Sequence, residues 1–91
     1  MFEFDPAKSA ANKAKHGIDF EEAKAIWLDE NRLEYPVGSE TEPRFAMIGM
    51  IGEVTWTVIG TVRGENIRLI SARRARKEER VLYASAKDNN G

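Results

Sequence analysis

The chain has 91 residues, 42% of them hydrophobic, with 14 Lys and Arg against 15 Asp and Glu, one histidine and no cysteine. That length encloses one modest core, and the residue set excludes disulfides, thiolate chemistry and the usual structural zinc sites. A formal net charge of −1 argues against a stand-alone nucleic-acid binder, because phosphate-driven affinity needs uncompensated bases.

The charges are nonetheless segregated. Asp19, Glu21, Glu22, Asp29, Glu30, Glu34, Glu40 and Glu42 crowd the middle, while Lys8, Lys13 and Lys15 precede them and Arg63, Arg68, Arg73, Arg74, Arg76, Lys77 and Arg80 follow. A fold with one acidic and one basic face is compatible with this order, although charge runs are more often plain solvated surface. The first eight residues lack a continuous apolar run, and no stretch reaches the roughly 20 apolar residues of a membrane span, so a soluble cytoplasmic protein is expected.

In chain order, Phe2-Glu3-Phe4 alternates as a short edge strand does. Asp5-Pro6 is a helix start, an N-cap acceptor followed by proline at the first helical position. Ala7, Ala10, Ala11 and Ala14 share one face at the helical period and are expected to pack, leaving Lys8, Asn12 and Lys15 pointing elsewhere. Gly17 suits a left-handed cap, with Lys15 and His16 placed well against the helix dipole. Asp19 and Glu22 form a capping-box pattern for a second helix, whose expected buried stripe is Phe20, Ala23 and Trp27. This helix should stop near Asp29-Glu30-Asn31.

The period then changes to two. Leu33, Tyr35 and Val37 alternate as a strand, Gly38 to Pro43 is a polar loop, and Arg44 to Met50 and Val54 to Val62 are strands around a Gly52 turn. Arg63-Gly64-Glu65-Asn66 turns into a strand over Ile67 to Ala72, and Arg76 to Ala84 has helical character, with Val81 and Leu82 able to dock and Glu79 and Arg80 exposed. The expected fold class is α+β: a helix hairpin on one face of a twisted antiparallel sheet, with a C-terminal helix. One domain over 1–86 and an unstructured tail over 87–91 complete the reading.

Chemistry concentrates in Thr61-Val62-Arg63-Gly64-Glu65-Asn66-Ile67-Arg68-Leu69-Ile70-Ser71-Ala72-Arg73-Arg74. With Arg63 to Asn66 as the turn, Thr61 falls opposite Arg68 on one face, and strict alternation puts Ser71 and Arg73 on the other. Arginines at strand ends can grip a phosphate bidentately, and they also deter edge-to-edge pairing. His16 is a general acid or base by type, but its position in a last helical turn favours capping. Arg44 reaches either a phosphate or a neighbouring acid. Trp27 and Trp56 could stack on bases, yet both fit buried stripes. Arg73-Arg74-Ala75-Arg76-Lys77 suits phosphate tracking, partner docking or a solvated helix start. Phosphate-binding glycine loops, nucleophile triads, metal-ligand spacings and dinucleotide fingerprints are absent from the sequence. RNA cleavage needs none of them, since the 2′-hydroxyl of RNA is itself a nucleophile.

Taken in order, Phe2-Glu3-Phe4-Asp5-Pro6-Ala7-Lys8, Asn12 with Lys15-His16-Gly17, and Phe20-Glu21-Glu22-Ala23 resemble the BrnT family of type II toxins, itself similar to RelE-like ribonucleases. The likeness continues through Glu42-Pro43-Arg44, Ile48-Gly49, the Arg63 to Ala75 segment, and Glu79-Arg80 with Tyr83, so it covers Phe2 to about Tyr83. It implies metal-independent, cofactor-free mRNA cleavage that arrests growth. It also implies a BrnA-like ribbon-helix-helix antitoxin, with operator DNA bound only through that partner and no membrane association. Carried over residue by residue, Arg63, Arg73 and Arg44 become phosphate or transition-state stabilisers, with Lys15 and His16 as candidates for proton transfer. Lys8, Arg68, Arg74, Arg76 and Lys77 become RNA contacts, and no metal ligands are implied.

Three positions depart from the family pattern. Gly60 and Val62 flank Thr61 where an aromatic residue and an acid are usual, Val37-Gly38-Ser39-Glu40 replaces a His-Ser pair, and Arg76 stands at a threonine cap. An alternative reading is therefore an antitoxin-binding module with weakened catalysis that acts mainly in operon autoregulation. A stand-alone RNA- or DNA-binding protein is the third.

Overall fold

Local signals set the ends of the helix hairpin. Asp5 accepts a hydrogen bond from the Ala7 amide at 2.8 Å and opens α1, Pro6–His16. Gly17, at φ 80°, closes the helix in the left-handed region, where a side chain would be strained, and its amide donates to the Lys13 carbonyl. Asp19 and Glu22 then exchange hydrogen bonds as a complete capping box at the start of α2, Phe20–Ala23. Beyond Ala23 the chain tightens into a 3-10 turn over Lys24–Leu28. With three residues per turn, Ile26 takes the buried position directly above Ala23, and Trp27 is displaced to the rim. There it meets Phe2 and Phe45 edge-on, with ring centroids 4.8 and 6.2 Å away.

The computed structural model describes residues 1–38 and 43–90. The expected polar loop over Gly38 to Pro43 therefore lies mostly outside the described residues, as does Glu42. Five strands form one sheet: β1 Phe2–Glu3, β2 Leu33–Val37, β3 Arg44–Ile51, β4 Val54–Arg63 and β5 Asn66–Arg74. Their spatial order is β1-β5-β4-β3-β2. β2 to β5 form the antiparallel meander, and β1 adds one parallel pairing against β5, with Phe2 opposite Ile67 and Glu3 opposite Arg68. The class is α+β with a mixed sheet.

Strand alternation assigns the two faces. Phe45, Met47, Trp56, Val58, Leu69 and Ala72 meet Ile18, Phe20, Ala23 and Ile26 of the hairpin in the main core. Gly49 permits that contact: a Cβ there would stand 2.7 Å from Ile26 Cγ1. The other face carries Leu33, Tyr35, Ile48 and Met50, which pack with Ala75 and with Tyr83 of α3, Lys77–Asn90. α3 thus covers part of the face opposite the hairpin. Its helix runs on to Asn90 from an expected end at Ala84, over residues 87–90 read from sequence as tail. Ala86 and Lys87 are good helix formers and no breaker intervenes before Gly91.

Two further expectations are corrected. The alanines of α1 face solvent, and its buried residues are Ser9 and Asn12. Helix α1 lies along the part of the β5 edge that the two-residue β1 leaves unpaired, and that edge needs hydrogen bonds more than it needs methyl groups. Asn12 Nδ2 donates to the carbonyls of Ala72 and Ile18, each at 2.8 Å, while its Oδ1 accepts from the Ala72 amide at 3.3 Å. Ser9 Oγ accepts from the Phe20 amide at 2.9 Å. On α3 the pattern is reversed from expectation: Glu79 is buried at 7% exposure, while Val81 and Leu82 remain 56% and 50% exposed.

Candidate nucleic-acid interface

Thr61 does pair with Arg68, but between Ile59 and Gly60 the register of β4 against β5 shifts. Ser71 stays opposite Ile59 while Leu69 stands opposite Gly60, so one extra residue of β5 is absorbed in a bulge. The bulge resets the alternation. Ser71 and Arg73 therefore lie on the same face as Thr61 and Arg68, not on the other one as strict alternation requires. It also lets Leu69 and Ala72, of opposite parity, both reach the hairpin core.

On the face away from the hairpin, Glu3, Arg68 and Thr61 form a row across β1, β5 and β4. Arg44 begins β3 one residue before Phe45, which pairs with Gly60, and so flanks Thr61 from the other side. Two strand spacings separate Arg44 from Arg68, roughly 10 Å between backbones, and Arg63 stands two residues beyond Thr61, about 7 Å along β4. Thr61 itself is buried, its hydroxyl donating to the Pro43 carbonyl. Arg44 and Arg63 are exposed and Arg68 is partly so. Three guanidinium-bearing strands thus meet at one end of one face.

Arg73 is not part of that group. It pairs with Thr57, six residues from Arg63 along β4 and so about 20 Å away. It is also held: Nη1 and Nη2 donate to the two carboxylate oxygens of Glu79 at 2.7 and 2.9 Å. The same carboxylate accepts the Arg76 backbone amide at 2.7 Å and the Tyr35 hydroxyl at 3.2 Å. Hydrogen bonding to Arg73 outweighs burial and holds the Glu79 carboxyl down to about 2, while burial and the neighbouring Glu79 push the Tyr35 phenol up. Thr57 Oγ1 faces this carboxylate and adds to its stabilisation as an anion, without the geometry of a formed hydrogen bond.

A second, partly buried polar pair ties α3 to Asp29, the residue that ends the 3-10 turn. Tyr83 donates to Asp29 Oδ2 at 2.6 Å, and the Met50 amide donates to the same oxygen at 2.8 Å. Burial, with Asp29 as acceptor, pushes the Tyr83 phenol up to about 12. For Asp29 burial opposes ionisation, but its hydrogen bonds from Tyr83, Met50 and Asn31 win and leave the carboxyl below its usual range.

The remaining candidates scatter. Lys15 is exposed and His16 half-buried at the end of α1, which runs beside β5 toward Arg74; Asn12 already reaches Ala72. They stand near the end of the sheet opposite Arg63. Lys8 is exposed in the first half of α1. Arg74 lies over the Trp56 ring at 5.8 Å, on the hairpin face, and Arg76 and Lys77 are exposed at the start of α3. Sequence reasoning overlooked Glu79 and Tyr35. Glu79 had a signal, since it stands three residues after Arg76 as the acid of a capping box does; Tyr35 had none, because its partner comes from a distant segment.

A cleft lined by Glu34, Pro36, Pro43, Arg44, Phe45 and Val62 opens at the same end of the sheet but on its hairpin side, the side to which Phe45 and its pairing partner Pro36 belong. Among the described residues, no three His, Cys, Asp or Glu side chains are placed to hold a metal ion, and no helix is long and apolar enough to cross a membrane. No curated protein matches the chain. One family profile, described as the ribonuclease toxin BrnT of type II toxin-antitoxin systems, matches residues 4–79. That span holds both helices of the hairpin, the whole meander and the Arg73–Glu79 pair, and the chain therefore belongs to the BrnT family of ribonuclease toxins.

Proposed function

We propose that the protein is a metal-independent endoribonuclease that cuts mRNA, with Arg44, Arg63 and Arg68 holding the phosphate backbone at one end of the face opposite the hairpin. The observation that carries this reading is the meeting of these three arginines around Thr61 at one end of that face. A guanidinium matches a phosphate oxygen pair in shape and charge. In the proposed reaction the 2′-oxygen forms a bond to phosphorus and the bond from phosphorus to the 5′-oxygen breaks. The 2′-hydroxyl proton leaves and the 5′-oxygen gains one, giving a 2′,3′-cyclic phosphate and a 5′-hydroxyl. The arginines stabilise the charge that accumulates on the phosphate oxygens.

Membership of a type II toxin-antitoxin family implies a protein antitoxin as partner. We further propose that it is a BrnA-like ribbon-helix-helix protein, that operator DNA is met only through it, and that the toxin acts in the cytoplasm. The test is cleavage of a single-stranded RNA by the purified protein in EDTA, with Arg63→Ala alongside. Arg63→Ala should lower kcat/KM by about 10²-fold or more at an unchanged Tm, and replacing the ribose at the cut site by deoxyribose should abolish cutting. No cleavage by the wild-type chain, with the antitoxin still co-purifying, would favour the weakened binding module instead.

A further inference from the structure

Among the described residues, arginines meet carboxylates in two contrasting ways. Arg73 and Glu79 make a closed fork at 2.7 and 2.9 Å, with side chains only 22% and 9% exposed. Glu3 meets its arginines loosely: Oε1 lies 3.5 Å from Arg68 Nη1 and 3.8 Å from Arg63 Nη1, and Oε2 accepts from Asn66 Nδ2 at 3.1 Å. The side chains of Glu3 and Arg68 are each 33% exposed and that of Arg63 is 57% exposed. One carboxylate is thus shared between two cations, beyond the 2.7–2.9 Å of a formed charge-assisted hydrogen bond, and in contact with water. Such a pair is weak and exchangeable.

We infer that Glu3 is a built-in occupant of the anion site, competing with substrate phosphate for Arg63 and Arg68 and so setting how strongly this face takes a polynucleotide. The inference rests on the function proposed above. β1 is only two residues long, yet its parallel register sets Glu3 directly beside Arg68, and the Ile67 amide fixes that register by donating to the Met1 carbonyl at 2.8 Å. A phosphate arriving at the arginines meets a site already half-neutralised and must displace the carboxylate. A single anion gains little from the exchange. A chain of phosphates that also engages Arg44 gains more, so the occupant biases the face toward polynucleotides.

The experiment measures binding of a fluorescent single-stranded 2′-deoxy oligonucleotide, which has no 2′-nucleophile, to the full-length chain. Glu3→Gln keeps the side-chain volume and an acceptor for Asn66, and it should tighten binding about two- to fivefold with no change in Tm. Glu65→Gln removes one acid from the adjacent turn, where Glu65 makes no ion pair with the described residues of the kind Glu3 makes, and should give a smaller gain. In an Arg63→Ala, Arg68→Ala background the gain from Glu3→Gln should disappear. An unchanged affinity in Glu3→Gln, an equal gain in Glu65→Gln, or a gain that survives loss of both arginines would overturn the inference alone. If removal of both arginines leaves the wild-type affinity intact, the phosphate-binding role proposed for them falls as well.

Discussion

Glu79 shows how one side chain can serve two structural demands at once. Its carboxylate satisfies the Arg76 amide at the start of α3 and closes the fork on Arg73, so it binds the helix to β5. The energetic consequence follows from linkage. The folded pKa of about 2 lies below the ordinary 4.5, so the unfolded chain binds the proton more readily, and the stabilisation is complete above 4.5 and lost as pH falls toward 2. At about 1.4 kcal/mol per pKa unit this amounts to about 3 kcal/mol. Asp29, also depressed, adds to the same acid window. Thermal melts between pH 5 and 2 should therefore show a falling Tm, with a clearly shallower slope in Glu79→Gln. Parallel slopes in the two proteins would contradict this assignment.

At the scale of elements, the orientation of α1 is decided by the sheet it borders. Hydrophobic periodicity selects its alanine face for burial, but the unpaired edge of β5 presents amide and carbonyl groups that alanine cannot satisfy. Asn12 supplies both a donor and an acceptor, acting as a one-residue extension of β1. Asn12→Ala should cost about 1–3 kcal/mol, because it leaves buried backbone groups unpaired. Ala11→Ser, on the solvent side, should stay within about 0.5 kcal/mol of wild type. Urea titrations of the two variants check this, and equal destabilisation would mean that the helix face is assigned wrongly. The bulge at Ile59/Gly60 is the second element-level decision. It carries Arg73 to the same face as Arg68, where α3 descends with Glu79, and without it that ion pair could not form.

Across the whole molecule, a near-neutral chain gathers three arginines at one end of one sheet face without segregating the rest of its charge. Arg44, Arg63 and Arg68 meet on the face opposite the hairpin, and the hairpin itself carries Lys8, Lys13, Lys15 and Lys24 against Asp5, Asp19, Glu21 and Glu22. With these three arginines as the proposed phosphate contacts, a shallow salt dependence is expected: log K against log salt for a single strand should have a slope near −2, from about −0.7 per phosphate contact. Arg63→Ala should reduce that slope by about 0.7. A steep slope, of the size produced by many contacts, would extend the interface to Lys8, Arg74, Arg76 and Lys77. A slope unaffected by the Arg63 change would remove Arg63 from it.

The amino-acid sequence determined most of what local chemistry controls. The Asp5-Pro6 start, the Gly17 stop, the Asp19/Glu22 capping box, the antiparallel order of β2 to β5 and the Thr61–Arg68 pairing all depend on residues close along the chain or on a two-residue period. So did the family, whose pattern is a matter of order and spacing. Tertiary structure decided the rest. The parallel contact of β1, the placement of α3 opposite the hairpin and the burial of Asn12 rest on partners 44 to 65 residues away in the chain, while the Glu79 fork on Arg73 and the distance of Arg73 from Arg63 rest on a β4–β5 register reset by the bulge. Periodicity records which residues share a face of one element. Which neighbour that face must satisfy, and whether a bulge has reset the count, is fixed only when the segments pack.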